Sequence, residues 1–161
     1  MMRSPILRFA VFFFVFLLGF SVLSVATALQ NHLQVAERAI AELSTWLAQR
    51  VGSGATVVNG SYISVAGMTL NINHECTGVF VLFVLASFIG AYPARVTTKA
   101  IGIVTGITAL SVVNVIRIAT LVRLVEFYPK AFVYFHEYIW QGAFLMLVTV
   151  YAITWVEWAR R

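Results

Sequence analysis

Cys76, the only cysteine in the chain, stands where a polar loop meets an apolar run. Its surroundings read Asn73-His74-Glu75-Cys76-Thr77-Gly78, followed by the apolar stretch Val79 to Ala91. The thiolate is the nucleophilic form of cysteine, and the start of a helix favours it because free backbone N–H groups and the helix dipole stabilise an anion. Thr77 and Gly78 keep the backbone beside the sulfur small, which admits a substrate carbonyl. Arg117 lies inside a second apolar run, where a charge costs about 2.5–3.5 kcal/mol at the centre of a membrane helix and so marks function by default. Asn114 is one turn earlier on the same face, and the pair suits a carbonyl, a carboxylate or a developing oxyanion. His136, followed by Glu137, precedes the last apolar run, and histidine carries protons near neutral pH. Glu75 or Glu137 is placed to orient a histidine. A thiol, an imidazole and a guanidinium at one membrane face point to cysteine-based acyl transfer.

Each residue also has a plainer reading. A lone cysteine can be a small interfacial apolar residue, an arginine can snorkel to headgroups, and a histidine can be an amphipathic surface group. His32 and His74 compete with His136 for the proton-carrying role. Arg123 is closer to water than Arg117, and snorkelling is its expected role. No HExxH motif and no helical i, i+4 histidine pair occurs, so no metal or other cofactor is expected.

The elements that must position these residues are membrane helices. Of 161 residues, 61% are hydrophobic and 11% charged, whereas a soluble domain carries roughly a quarter charged residues. The net charge of +5 is spread over Arg3, Arg8, Arg95, Lys99, Arg160 and Arg161, which flank apolar runs. That is the pattern of topology anchors and excludes a nucleic-acid patch. Spans of about 20 apolar residues are predicted over about 9–29, 77–92, 100–121 and 138–156. The fold expected is an all-α integral membrane protein, a single domain over 1–161, built as a four-helix bundle. The external segment of about 30–75 holds an amphipathic helix from His32 to Arg50, with Leu33, Ala36, Ile40, Leu43 and Leu47 on its apolar face. A small hairpin follows around Asn59-Gly60, with a further turn at Ala66-Gly67 before Met68 to Ile72. The positive-inside rule puts both termini and the Pro93–Lys99 turn in the cytoplasm. Cys76, Arg117 and His136 then share the external side.

At these residues the chain resembles the exosortase/archaeosortase family of membrane cysteine transpeptidases. The resemblance rests on Cys76-Thr77-Gly78 at the head of one span, Asn114-Val115-Ile116-Arg117 late in the next and His136 before the last. It covers about residues 60–141. The chain lacks the additional spans that many members carry before the cysteine, which makes it similar to a short subtype such as exosortase H. The resemblance implies a multi-pass protein of the bacterial plasma (inner) membrane with its active site facing the periplasm or exterior. The implied substrate is an integral membrane protein ending in a tripartite signal of a short motif, a transmembrane helix and a basic tail. The enzyme would cleave near the motif and join the new C-terminus to a lipid or glycan acceptor. Cys76 is then the nucleophile, His136 the proton carrier and Arg117 the oxyanion donor, with Asn114 in support. Two other readings compete. One is a non-enzymatic membrane scaffold that uses Arg117 to pair with a partner. The other is a thiol redox carrier, which is disfavoured because the chain has no second cysteine.

Overall fold

Prolines and a left-handed glycine punctuate long apolar runs in this chain, and helices form between them. The computed structural model describes residues 5–24, 27–73 and 76–160. Arg3, Val25, Ala26, His74, Glu75 and Arg161 lie outside the described residues. The order is α1 (Pro5–Ser24), α2 (Thr27–Arg50), β1 (Thr56–Val58), β2 (Tyr62–Val65), β3 (Met68–Asn71), α3 (Val79–Ala91) and α4 (Val96–Phe127). A 3-10 turn (Pro129–Ala131), the short α5 (Phe132–Tyr134) and a π-helical turn (Phe135–Ile139) lead into α6 (Trp140–Ala159). Pro93 and Pro129 each stand two residues beyond a helix end, after Tyr92 and Tyr128, and each biases the residue before it out of helical conformation.

The predicted spans change in three places. Of the stretch expected as one span over 9–29, the described residues up to Ser24 lie in α1 and those from Thr27 lie in α2, with Val25 and Ala26 outside the described residues. The stretch expected at 77–92 forms α3, with 13 residues, or about 20 Å, against a hydrocarbon core of about 30 Å. The span expected at 100–121 extends to the 32 residues of α4. Most of the loop expected over Arg123–Glu137 is helical as well, because α4 runs on to Phe127 and is followed by three short turns. Among the described residues, Val96–Phe127 and Pro129–Ala159 are the stretches long and apolar enough to cross a membrane. The expected hairpin is a three-stranded antiparallel sheet in the order β1-β2-β3.

Two apolar cores share α4. One joins α2, the sheet and the C-terminal half of α4 through Ala41, Ala48, Ile63, Val65, Val122 and Val125. The other joins α3, the N-terminal half of α4 and α6 through Leu85, Ile89, Leu110, Phe144, Val148 and Trp155. The face of α2 that packs inward keeps Ile40 and Leu47 of the predicted one at its edge but is shifted away from Leu43. Ala41, Ser44, Thr45 and Ala48 are buried, while Leu43 is 54% exposed. Small residues let two helix backbones approach closely, so the large side chains of α2 are displaced to its flanks. Arg123 does not snorkel. It pairs with Glu126 and donates to the Gly52 carbonyl, and Glu126 accepts from Ser53 Oγ at 2.6 Å and from the Gly54 N–H at 2.9 Å. The loop after α2 is thereby tied to α4, which fixes the sheet above the second half of the chain.

Close packing in the second core gives a stability prediction. A Cβ on Gly102 would overlap the indole of Trp155, which also donates to the Thr98 carbonyl. Gly102→Ala is expected to cost about 1–3 kcal/mol through overpacking. Gly19→Ala, where nothing lies within 4 Å of the new atom, serves as the control. Thermal unfolding of both variants in detergent measures the difference, with a lowered midpoint expected for Gly102→Ala alone.

Candidate active site

Cys76 does not lie in the helix that follows it. Cys76, Thr77 and Gly78 form a turn, and α3 begins at Val79. Asn73 builds this turn: its carbonyl accepts from the Cys76 N–H at 2.9 Å and the Thr77 N–H at 3.2 Å, and its side-chain Oδ1 accepts from the Cys76 N–H at 3.1 Å. Thr77 is buried, and its Oγ1 accepts from the Val79 N–H at 3.4 Å, an early helical donor with no partner within the helix. Gly78 caps α3 with φ 69° and ψ 6°, a left-handed conformation that costs an ordinary residue about 1–2 kcal/mol. A Cβ there would also meet the Phe144 ring at 3.4 Å and Asn114 Cγ at 3.6 Å. Thr77 and Gly78 therefore shape the backbone around the sulfur.

The next contributions come from α4. Asn114 is 1% exposed, and its Nδ2 donates to the Cys76 carbonyl at 3.0 Å. One turn on, Arg117 is 6% exposed, and its Nε has no hydrogen-bond partner among the described residues. An unsatisfied buried donor costs about 1–3 kcal/mol, and more when charged. The Arg117 guanidinium is close enough to interact electrostatically with Cys76.

His136 comes from the π-helical turn before α6. Its Nε2 lies 3.6 Å from Cys76 Sγ, and its ring stacks on Phe132 with centroids 5.5 Å apart and planes 23° apart. A π turn inserts an extra residue into the helical repeat and recurs at functional sites. With Nε2 unprotonated the imidazole takes the thiol proton, and with Nε2 protonated it donates to the thiolate. Cys76, Arg117 and His136 line one pocket of about 260 Å³, closed by Asn71 of β3, Ile118 and Phe132.

Of the residues singled out from the sequence, the fold thus gathers Cys76, Thr77, Gly78, Asn114, Arg117 and His136. Asn114, expected to bind substrate or to support Arg117, bonds the backbone of Cys76. Glu137 is exposed and makes no ion pair or side-chain hydrogen bond among the described residues. Glu75 and His74 lie outside those residues. Asn71, Asn73 and Phe132 were not anticipated. Asn73 had a legible signal, since an Asn three residues before an N–H donor can bond it as a helix cap does. Among the described residues, no group of three or more His, Cys, Asp or Glu side chains could hold a metal ion.

A family model described as transmembrane exosortase matches residues 4–156. A probable archaeosortase E from Methanocaldococcus jannaschii is 30% identical over 97 residues, which are 60% of this chain and 52% of that protein. The chain spans about half the length of this curated relative. No solved structure matches.

The 3.6 Å contact between Cys76 and His136 carries a prediction that needs no substrate. His136→Ala should slow alkylation of Cys76 by iodoacetamide at pH 7 by about tenfold, because the thiolate loses its neighbouring proton carrier. Intact-mass timing of the purified protein in detergent measures the rate. An unchanged rate would mean that the imidazole does not act on the sulfur.

Proposed function

The chain belongs to the transmembrane exosortase family, and from that premise we propose that it is a membrane-embedded cysteine transpeptidase. The observation that carries the reading is the contact of Cys76 Sγ with His136 Nε2 in a pocket shared with the buried Arg117. His136 takes the Cys76 proton, and Sγ attacks the scissile carbonyl carbon. The tetrahedral oxyanion collapses, the C–N bond breaks, and the leaving amine takes the proton from His136. An acceptor hydroxyl or amine then attacks the thioester, giving its proton to His136, and the thiolate departs.

The backbone around the sulfur favours Arg117 as oxyanion donor. In many acyl transferases backbone N–H groups near the nucleophile fill this role. Here the N–H groups of Cys76 and Thr77 bond Asn73, and that of Val79 bonds Thr77. Arg117 Nε, buried and without a hydrogen-bond partner among the described residues, is the donor in reserve. Its burial inside the chain's own pocket also argues against a scaffold that uses Arg117 to pair with a partner in the bilayer.

We read the chain as crossing a bacterial plasma membrane four times, through α1, α3, α4 and α6, with the basic ends in the cytoplasm. Because α3 covers about 20 Å of a core of about 30 Å, the cysteine turn lies within the outer part of the bilayer. Irregular backbone is tolerated at such depth only where protein or water satisfies it, and Asn73 and Asn114 supply those bonds. An apolar groove of about 790 Å³ runs between α1, α3 and α6. Since α3 and α6 both begin at the site, a substrate helix in this groove would lead towards the thiol. These features support a membrane-anchored substrate with a C-terminal sorting signal and a lipid or glycan acceptor.

Co-expression with a secreted reporter ending in a tripartite tail tests the reading, with intact mass of the reporter as readout. Cys76→Ala should abolish processing. Arg117→Lys should lower it by about 10²-fold or more, as removal of an oxyanion donor does. Full processing by Cys76→Ala would end the cysteine mechanism.

A further inference from the structure

The strand before the cysteine leaves a backbone edge open towards the pocket. The sheet order is β1-β2-β3, so β3 is an edge strand. In the β2–β3 pair, Ile63 faces Leu70, Val65 faces Met68, Tyr62 faces Asn71 and Ser64 faces Thr69. The Ile72 N–H donates to the Ser61 carbonyl at 3.0 Å, so the next pair in that register is a hydrogen-bonded one. Bonded and non-bonded pairs alternate along an antiparallel ladder. The pairs 63/70 and 65/68 are therefore bonded, and 62/71 and 64/69 are not. The two-residue turn agrees: Ala66 and Gly67 both have positive φ, 51° and 76°, the geometry of a tight hairpin closed by a bonded pair. Thr69 and Asn71 consequently turn their N–H and C=O groups away from β2. Both residues are exposed. The Asn71 carbonyl confirms the direction, since it lies 4.0 Å from Cys76 Sγ.

We propose that the extended segment of the substrate preceding the scissile bond binds as a fourth strand, paired in parallel with β3 through the outward backbone groups of Thr69 and Asn71. The inference rests on the cysteine reading above and assigns the substrate's binding mode at that site. An exposed edge is a template for strand addition, and this one is continuous with the thiol pocket, whose lining includes Thr69 to Asn73. The direction follows from position. β3 runs towards Cys76, and a substrate whose acyl portion lies along β3 and whose carbonyl reaches Sγ runs the same way. In parallel pairing one substrate residue spans two strand residues. Its N–H donates to the Thr69 carbonyl and its C=O accepts from the Asn71 N–H. The residue two further on donates its N–H to the Asn71 carbonyl and supplies the scissile carbonyl. The residue between them points its N–H and C=O away from β3.

A thiol-directed peptide tests this on the full-length protein in detergent. The probe is acetyl-Ala-Val-Ala-Leu chloromethyl ketone, with the rate of Cys76 modification read by intact mass and divided by the iodoacetamide rate. N-methylation of the leucine or of the valine should each slow labelling roughly tenfold, about the worth of one hydrogen bond. N-methylation of the intervening alanine should change it by less than about twofold, because that N–H has no partner on β3. On the protein side, Asn71→Pro removes an outward N–H that β2 does not use, which an edge strand tolerates. It should slow the peptide roughly tenfold relative to iodoacetamide, whose rate corrects for any change in the thiol itself. Equal rates for the three methylated peptides on the wild-type protein would overturn the proposal. A failure of the cysteine mechanism itself would show differently, as reporter processing by Cys76→Ala with the period-two labelling pattern intact.

Discussion

The bonds that satisfy the backbone of the turn before α3 are the constraint on which the rest of the site depends. A helix that begins at Val79 leaves Cys76, Thr77 and Gly78 as irregular backbone beside an apolar bundle. In such surroundings each unmet N–H or C=O costs as much as a lost hydrogen bond or more. Asn73 takes the N–H groups of Cys76 and Thr77, and Asn114 reaches from α4 to the Cys76 carbonyl. The same bonds fix the position of the sulfur. A thiol held by backbone bonds on both sides has little freedom left to lose, which is the advantage of a preorganised site.

The long helix α4 makes this possible by belonging to both cores. Its N-terminal half packs on α3 and α6, and its C-terminal half packs under α2 and the sheet. Asn114 and Arg117 fall where the two cores meet, so they are buried without being surrounded by apolar side chains alone. Arg117 shares a small pocket with the Cys76 thiol and the His136 imidazole. The Arg123–Glu126 pair ties the loop after α2 to the same helix. The sheet, the cysteine turn and the guanidinium are therefore referred to one rigid element.

The helical class and the four residues Cys76, Asn114, Arg117 and His136 were legible because polar groups stand out in apolar runs. The register of Asn114 and Arg117 on one helix face follows from their spacing alone. Helix ends were less legible. Gly78 carried no sign that it would hold the left-handed cap of α3. The buried face of α2 was read correctly at Ile40 and Leu47 but not at Leu43, because close packing on α4 favours Ala41, Ser44, Thr45 and Ala48. The partner of Asn114 was not legible either. Spacing along a helix says which side chains share a face, but the partner of that face, here the Cys76 carbonyl, comes from another part of the chain. The edge position of β3 and the outward carbonyl of Asn71 depend on strand order and register, which local patterning does not fix.

The central claim is that an acyl group passes through a thioester on Cys76, and hydroxylamine capture tests it most directly. The purified protein is incubated with a tripartite-tail reporter in lipid vesicles, with and without hydroxylamine, and the C-terminus of the released reporter is identified by intact mass. A thioester is open to attack by hydroxylamine, so the account predicts a C-terminal hydroxamate in its presence, absent with Cys76→Ala. A reporter released only as the free carboxylate in both conditions would mean that water attacks the peptide bond directly, and would contradict covalent catalysis by Cys76.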